Sequence, residues 1–291
     1  LDTELLATFL EVNRTRHFGR AAENLFLTQS AVSARIRLLE ETLGVELFTR
    51  ARNDIQLTPA GTRLLKHAEA IINAWNRARQ ESALGTAEAE LLAIGGVWSL
   101  WDIWLQDWLH RLRRERPHIA LQAEAHGGDV LVRRLLDGAL DIGCMFEPPQ
   151  IAELLVRELA PIRLILVADR PGLAAREATG AGYIRTDWGT SFATAHARHF
   201  PDMPPPAVRV GLGRMALAFL LECGGAAYLA EQMVIEHLTT GRLHRVNDAP
   251  AIDRQVYAVY AHAAERRALL EDALSLLAGA PAPRDAPAPV T

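Results

Sequence analysis

Thr58 and Pro59 open the longest periodic run in the chain. Threonine supplies a capping oxygen and proline suits the first helical position, where an N–H would go unpaired, so one helix is predicted from Pro59 to about Leu84. At 1.5 Å per residue it would be roughly 39 Å long. Leu64, Leu65, Ala68, Ile71, Ile72 and Trp75 share one stripe, while Arg63, Lys66, Glu69, Arg77 and Arg79 mostly face away. A stripe of that length needs cover, either from a second copy or from within the chain. The run also divides the sequence: helical periodicity precedes it, and strands alternating with helices follow. The expected fold class is therefore α+β overall.

The 291 residues are 49% hydrophobic, enough for two or three core-forming units. No stretch of about 18 apolar residues occurs, and no basic segment precedes an apolar one near the start, so a cytoplasmic protein with no membrane partner is expected. Cys144 and Cys223 stand far apart beside apolar residues, which predicts two buried thiols and no disulfide framework. Net charge is −4, and residues 1–66 carry nine Arg/Lys against eight Asp/Glu. That balance excludes a broad phosphate-coating surface, so any nucleic-acid contact must come from a few well-placed groups.

Residues 3–13 read as a first helix, and a short second one follows Phe18, with small residues where a neighbour must approach. The chain turns at Phe26 and Leu27. Thr28 then caps a third helix that ends at Thr42 or Leu43, before Gly44. Two short helices joined by a tight turn make a helix-turn-helix. On a helical wheel Val32, Ile36, Leu39 and Leu43 form the buried stripe of the third helix; Ser30, Ala34, Arg37 and Glu41 lie opposite. Gln29 and Ser33 occupy one shoulder and Arg35 the other. Glutamine can pair with adenine, serine with bases or phosphates, arginine with guanine or the backbone, and the small Ala34 lets a partner come close. The free N–H groups after Thr28 suit a phosphate. A solvated surface helix with incidental Ser and Gln explains this helix alone equally well. LFTRARNDIQLT at 47–58 adds two short strands around a polar turn at Arg52, Asn53 and Asp54, with Arg50 and Arg52 beside it. A hairpin directly after such a helix is a wing, whose arginines would lie along a phosphate or the minor groove.

These features resemble the LysR-type transcriptional regulators, and within them the HdfR-like branch. The likeness rests on Phe9, FGRAA at 18–22, TQSAVS at 28–33, Leu39–Glu40, Gly44, Leu47–Phe48, Arg50 and LTPAG at 57–61. Many members carry Arg where Ala34 stands and an uncharged residue where Arg35 stands, so whether Arg35 reads a base or a phosphate stays open. The resemblance implies a winged helix-turn-helix over 1–58, a linker helix over 59–84 that makes a homodimer, and a hinge at 85–90. It also implies a two-lobed, periplasmic-binding-protein-like α/β domain over 91–279, pairing further to a homotetramer on double-stranded promoter DNA. DNA contacts are expected from Thr28, Gln29, Ser30, Ser33, Ala34, Arg35, Arg37, Arg50 and Arg52.

Beyond Leu91, LLAIGGV, LDIGCMF, IRLILVA, AVRVG, AAYLA and QVYAVYA are strand candidates with helices between them. The likeness here, carried by LLDGALDIG at 135–143 and by 211–229, implies lobes of 91–161 plus 254–279 and of 162–253, with crossings near Glu158–Ile162 and Asp253–Gln255. A small-molecule effector would sit between them, at strand ends. Ser99 and Asp102 read as a capping box whose carboxylate would repel an anionic ligand. Trp101, Trp104 and Trp108 share a helical face and read as core; Trp98, at a strand–helix junction, is the better pocket candidate. Trp98, Ser99, Thr186 and Trp188 are the expected effector residues. No GxSxG, phosphate-loop or zinc spacing occurs, and the histidines, His196 and His199 included, read as scattered on the surface, so neither an enzyme nor a metal or cofactor site is expected. The competing reading is a solute-binding module whose helix-turn-helix makes protein contacts. The Pro/Ala-rich 280–291 reads as a disordered tail.

Overall fold

Side-chain caps set the helix ends of the N-terminal unit. In the computed structural model, which describes residues 2–51, 54–83, 90–262 and 266–278, α1 (Thr3–Thr15) starts at Asp2, whose carboxylate accepts from Glu4 N. α2 (Phe18–Asn24) starts at His17, whose Nδ1 accepts from Arg20 N at 3.2 Å. α3 (Gln29–Leu43) runs from Thr28 to Gly44, which takes the left-handed conformation at φ 70° that glycine adopts without strain. Between α2 and α3, Phe26 holds a φ of 55° and Leu27 N donates to Ala22 O at 2.9 Å, making the tight turn. Phe9, Val12, Ala21, Ala22, Val32, Ile36 and Leu39 fill the core. Leu43, expected in that stripe, is 43% exposed, because it lies in the last turn beyond the reach of α1 and α2.

β1 (Phe48–Ala51) and β2 (Asp54–Leu57) pair antiparallel from Phe48↔Leu57 to Ala51↔Asp54. One carboxylate oxygen of Glu40 accepts from Leu47 N at 2.8 Å and from Phe48 N at 3.4 Å, tying the wing to α3. α4 (Pro59–Ser82) begins at Thr58, whose hydroxyl accepts from Gly61 N and donates to Glu46 O at 2.7 Å. A Cβ on Gly61 would stand 2.2 Å from Leu47 O, so the helix can approach the wing only with glycine there. Ala68 is buried, and Leu64, Leu65 and Ile72 pack on the head, whereas Ile71 and Trp75 remain 36% and 50% exposed. The head thus covers one side of the stripe and leaves Ile71 and Trp75 open.

The C-terminal unit contains two sheets. Its first pass comprises β3 (Glu90–Gly96), α5 (Trp98–Leu100), a π-helical turn at Trp101–Leu105, α6 (Gln106–Glu115), β4 (Ile119–Ala125), α7 (Gly128–Leu136), β5 (Ile142–Met145) and β6 (Leu154–Glu158). The second sheet then builds from β7 (Ile162–Ala168), α8 (Ala175–Ala178), β8 (Tyr183–Thr186), α9 (Thr190–His199), β9 (Val208–Val210), α10 (Gly213–Cys223), β10 (Ala226–Ala230), α11 (Glu231–Thr239), β11 (His244–Arg245) and β12 (Ile252–Arg254). The chain returns through β13 (Tyr257–Ala261) and α12 (Arg267–Ala278). The sheets order as β4-β3-β5-β13-β6 and β11-β7-β10-β8-β9, with β12 also on β7. β3 and β5 run parallel, as do β10, β8 and β9. β10 is buried along its whole length, and β7 at every position but Arg163.

Several expectations change here. The Ser99–Asp102 capping box does not form: α5 is three residues long with no side-chain cap, and the chain widens at once into the π turn. Asp102 instead pairs with Arg214 of α10, Oδ1 to Nη2 at 2.5 Å. Trp108 is buried and donates from Nε1 to Ala273 O, and Trp101 donates to Glu124 O at 2.9 Å. His196 is 2% exposed, not on the surface; its Nε2 is 2.9 Å from Tyr183 Oη, with Phe192, Phe200 and Tyr228 around the ring. Burial pulls its pKa down to about 4, with the Arg185 and His199 charges adding to the effect. Cys144 is buried and its thiol pushed up to about 12 by desolvation, but Cys223 is exposed. The tail at 280–291 and, apart from Glu90, the hinge at 85–90 lie outside the described residues.

Candidate functional site

The face of α3 opposite the core is open. Gln29, Ser30, Ala34 and Arg37 are exposed, and Ser33 is half-buried on the shoulder. Thr28 Oγ1 accepts from Ala31 N at 3.2 Å and lies 2.9 Å from Ser30 Oγ, so these two hydroxyls order the first turn together. A Cβ on Gly19 would press on the His17 ring at 2.9 Å and lie 3.8 Å from Gln29 Oε1, so glycine in FGRAA keeps the α2 cap and Gln29 close together. Arg37 has no ion-pair partner among the described residues, which leaves one free cation on a face of short polar groups.

Arg35 makes contacts within the head. Its guanidinium pairs with Glu4 and reaches Thr8 Oγ1 at 3.5 Å, both on α1. One residue on from Ala34 turns the side chain about 100° toward α1, where the first-turn carboxylate meets it. Arg50 belongs to β1, but its side chain, and all of Arg52, lie outside the described residues.

The second site is a cleft of about 630 Å³ in the C-terminal unit, where the ends of β3, β5 and β8 meet the crossing at Arg254. Ligands of open α/β sheets bind at such carboxyl ends. Val97, Trp98 and Ser99 line it after β3, Gly127–Val130 at the start of α7, Met145–Glu147 at the end of β5, and Asp187–Gly189 after β8. Trp98 is 54% exposed, an indole face open to the cleft. Trp188 is buried, donates to Tyr228 O at 2.8 Å and packs against Gly213, so it serves as floor. Of the expected effector residues, Trp98, Ser99 and Trp188 meet here. Thr186 does not: it is 1% exposed, directed into the core by strand alternation, and its Oγ1 has no hydrogen-bond partner among the described residues.

Arg254 was missed at the sequence level. It is 3% exposed, with its guanidinium carbon 4.6 Å from the Phe146 ring centre and Nη1 3.9 Å from Glu147 Oε1. Desolvation lowers its pKa, opposed by the Glu147 and Asp187 charges. The available signal was the in–out–in alternation of Ile252, Asp253 and Arg254, which aims an arginine inward next to a lobe crossing.

A winged helix-turn-helix with an open polar recognition face, followed by two α/β lobes around a cleft, is the architecture of a DNA-binding transcriptional regulator. Residues 3–62 match the family described as bacterial regulatory helix-turn-helix protein, lysR family, and residues 86–281 match the LysR substrate binding domain. The chain belongs to the LysR family and is a LysR-type DNA-binding transcriptional regulator. It is 39% identical to the HTH-type transcriptional regulator HdfR of Yersinia enterocolitica over 94% of this chain and 95% of that one. HdfR of Yersinia pestis is 38% identical over the same shares. Among solved structures, full-length CbnR complexed with its target DNA superposes with a TM-score of 0.68 at 18% identity, covering 95% of this chain and 99% of that one. Vibrio fischeri DarR in complex with DNA gives 0.59 at 22%, covering 96% and 99%. Both show the same fold.

Proposed function

We propose that the chain acts as a homodimer that lays α3 of each head in the major groove of a pseudo-palindromic promoter site, and that the lobes pair further to a tetramer. The observation that carries this reading is the α3 face, where Gln29, Ser30, Ala34 and Arg37 stand exposed while Val32, Ile36 and Leu39 hold the core. Gln29 and Ser33 read bases, Thr28 and Ser30 fix the helix N-terminus on phosphate, and Arg50 and Arg52 hold the backbone from the wing. The exposed Ile71 and Trp75 support pairing through α4. Dimerisation offsets the weak charge of one head, because the second half-site binds at high effective concentration. CbnR and DarR, both seen with DNA, are the structural precedent.

A small molecule in the cleft favours one lobe arrangement and so changes affinity for the promoter. The role is regulation in the cytoplasm, without turnover of the bound molecule; no described helix is long and apolar enough to cross a membrane. The experiment is a gel shift with footprinting on the DNA flanking its own gene, at physiological salt. A protected site with two half-sites is expected; no preference over random genomic fragments would favour a helix-turn-helix used for protein contacts.

A further inference from the structure

The charges around the cleft are unusual for a site that accepts a simple acid. Arg254 is its buried cation, and its Nε has no hydrogen-bond partner among the described residues. Glu147 stands off at 3.9 Å and is itself 63% exposed, so the pairing is loose. Three carboxylates, Asp129, Glu147 and Asp187, share the rim and are all exposed. A buried charge without a hydrogen-bonded partner is costly, and the cost falls when a ligand supplies the missing acceptor.

Each simple ligand class leaves something unsatisfied. A bare anion suits Arg254 but meets three carboxylates. A bare cation suits the rim but leaves Arg254 buried with only its loose Glu147 pair. An uncharged apolar molecule satisfies neither. Resting on the reading of this cleft as the effector site, we infer that the effector is a small zwitterion of the α-amino-acid type with an apolar side group. Its carboxylate pairs with Arg254, its ammonium faces Asp187 and Glu147, and its side group lies on Val97, Trp98 and Val130. The volume of about 630 Å³ holds such a molecule, since pockets for small ligands span roughly 300–1,000 Å³.

The test is calorimetric titration of the full chain with L-leucine, L-methionine and L-phenylalanine. Each is compared with the amine lacking its carboxylate and the acid lacking its ammonium, phenethylamine and 3-phenylpropionate in the last case. At least one amino acid should bind, with both its analogues weaker by about tenfold or more, because each leaves a charged group unpaired. Arg254→Gln should lose binding, and Arg254→Lys, which keeps the charge, should retain part of it while circular dichroism stays unchanged. Equal binding of an amino acid and its acid or amine analogue overturns the inference, as does binding of none of the three. The cleft reading is tested separately: if other small molecules change DNA affinity, and lose that effect in Trp98→Ala, while amino acids do not bind, the cleft remains the effector site and the zwitterion class is wrong. If ligands that change DNA affinity act unaltered in Trp98→Ala and Arg254→Gln, the cleft reading itself falls.

Discussion

Replacing Trp75 with serine should split the dimer while leaving each chain folded. Trp75 is 50% exposed on α4, one turn beyond Ile71, which is 36% exposed. A tryptophan side chain presents up to ~250 Å², so about half of that stands open, and at ~25 cal/mol per Å² its burial contributes roughly 3 kcal/mol. A two-fold pairing buries both copies; with cover only half complete the dimer gains roughly 3 kcal/mol in all, or about a hundredfold in dissociation constant. Removing an exposed side chain should shift the stability of the isolated chain by no more than about 0.5 kcal/mol. Sedimentation equilibrium across a wide concentration range measures the change, with circular dichroism as the control for folding. A dissociation constant unchanged in Trp75→Ser, and again in Ile71→Ser, would show that α4 pairs by another face or not at all.

Other outcomes follow from contacts within each unit. Gly61→Ala places a methyl against Leu47 O, so the urea midpoint of the head should drop and DNA binding should weaken with it. Glu40→Ala leaves Leu47 N and Phe48 N without an acceptor; a cost of about 1–3 kcal/mol is expected, and a variant as stable as the parent would remove Glu40 from the wing's support. His196 is held neutral, with its pKa lowered to about 4, so the unfolded chain binds the proton more readily between pH 6.5 and 4. Stability should therefore be full above pH 6.5 and fall as the pH drops toward 4, by roughly 3 kcal/mol; His196→Phe should flatten that slope in urea titrations.

The sequence carried the head almost entirely, because its signals are local. Thr28, Gly44 and the Thr58–Pro59 pair mark helix ends through their own side chains and backbones, and Val32, Ile36 and Leu39 mark the buried face by period alone. Central strands such as Ile162–Ala168 and Ala226–Ala230 were legible for the same reason, being continuous apolar runs. β4 and β6 were missed: both are edge strands whose partly exposed, mixed composition follows from having one neighbour rather than from a pattern. The site was harder, since its groups act across distance. Arg35 looks free on a wheel, and only the packing of α1 brings Glu4 to it. Ser99 and Asp102 have capping-box spacing, but the π turn and Arg214 on α10 take Asp102 elsewhere. Arg254 joins the cleft because the chain crosses between sheets directly after it.

Quantitative footprinting of the full chain and of Gln29→Ala, Ser33→Ala and Arg35→Ala on one promoter fragment and on its base-substituted versions tests the central claim most directly. Gln29→Ala and Ser33→Ala should lose discrimination at defined base pairs, worth about 1–3 kcal/mol each, while keeping non-specific affinity and salt slope. Arg35→Ala, whose charge already serves Glu4, should leave the base preferences as they are. Unaltered footprints and preferences in the Gln29 and Ser33 variants would contradict the assignment of α3 as the element that reads DNA.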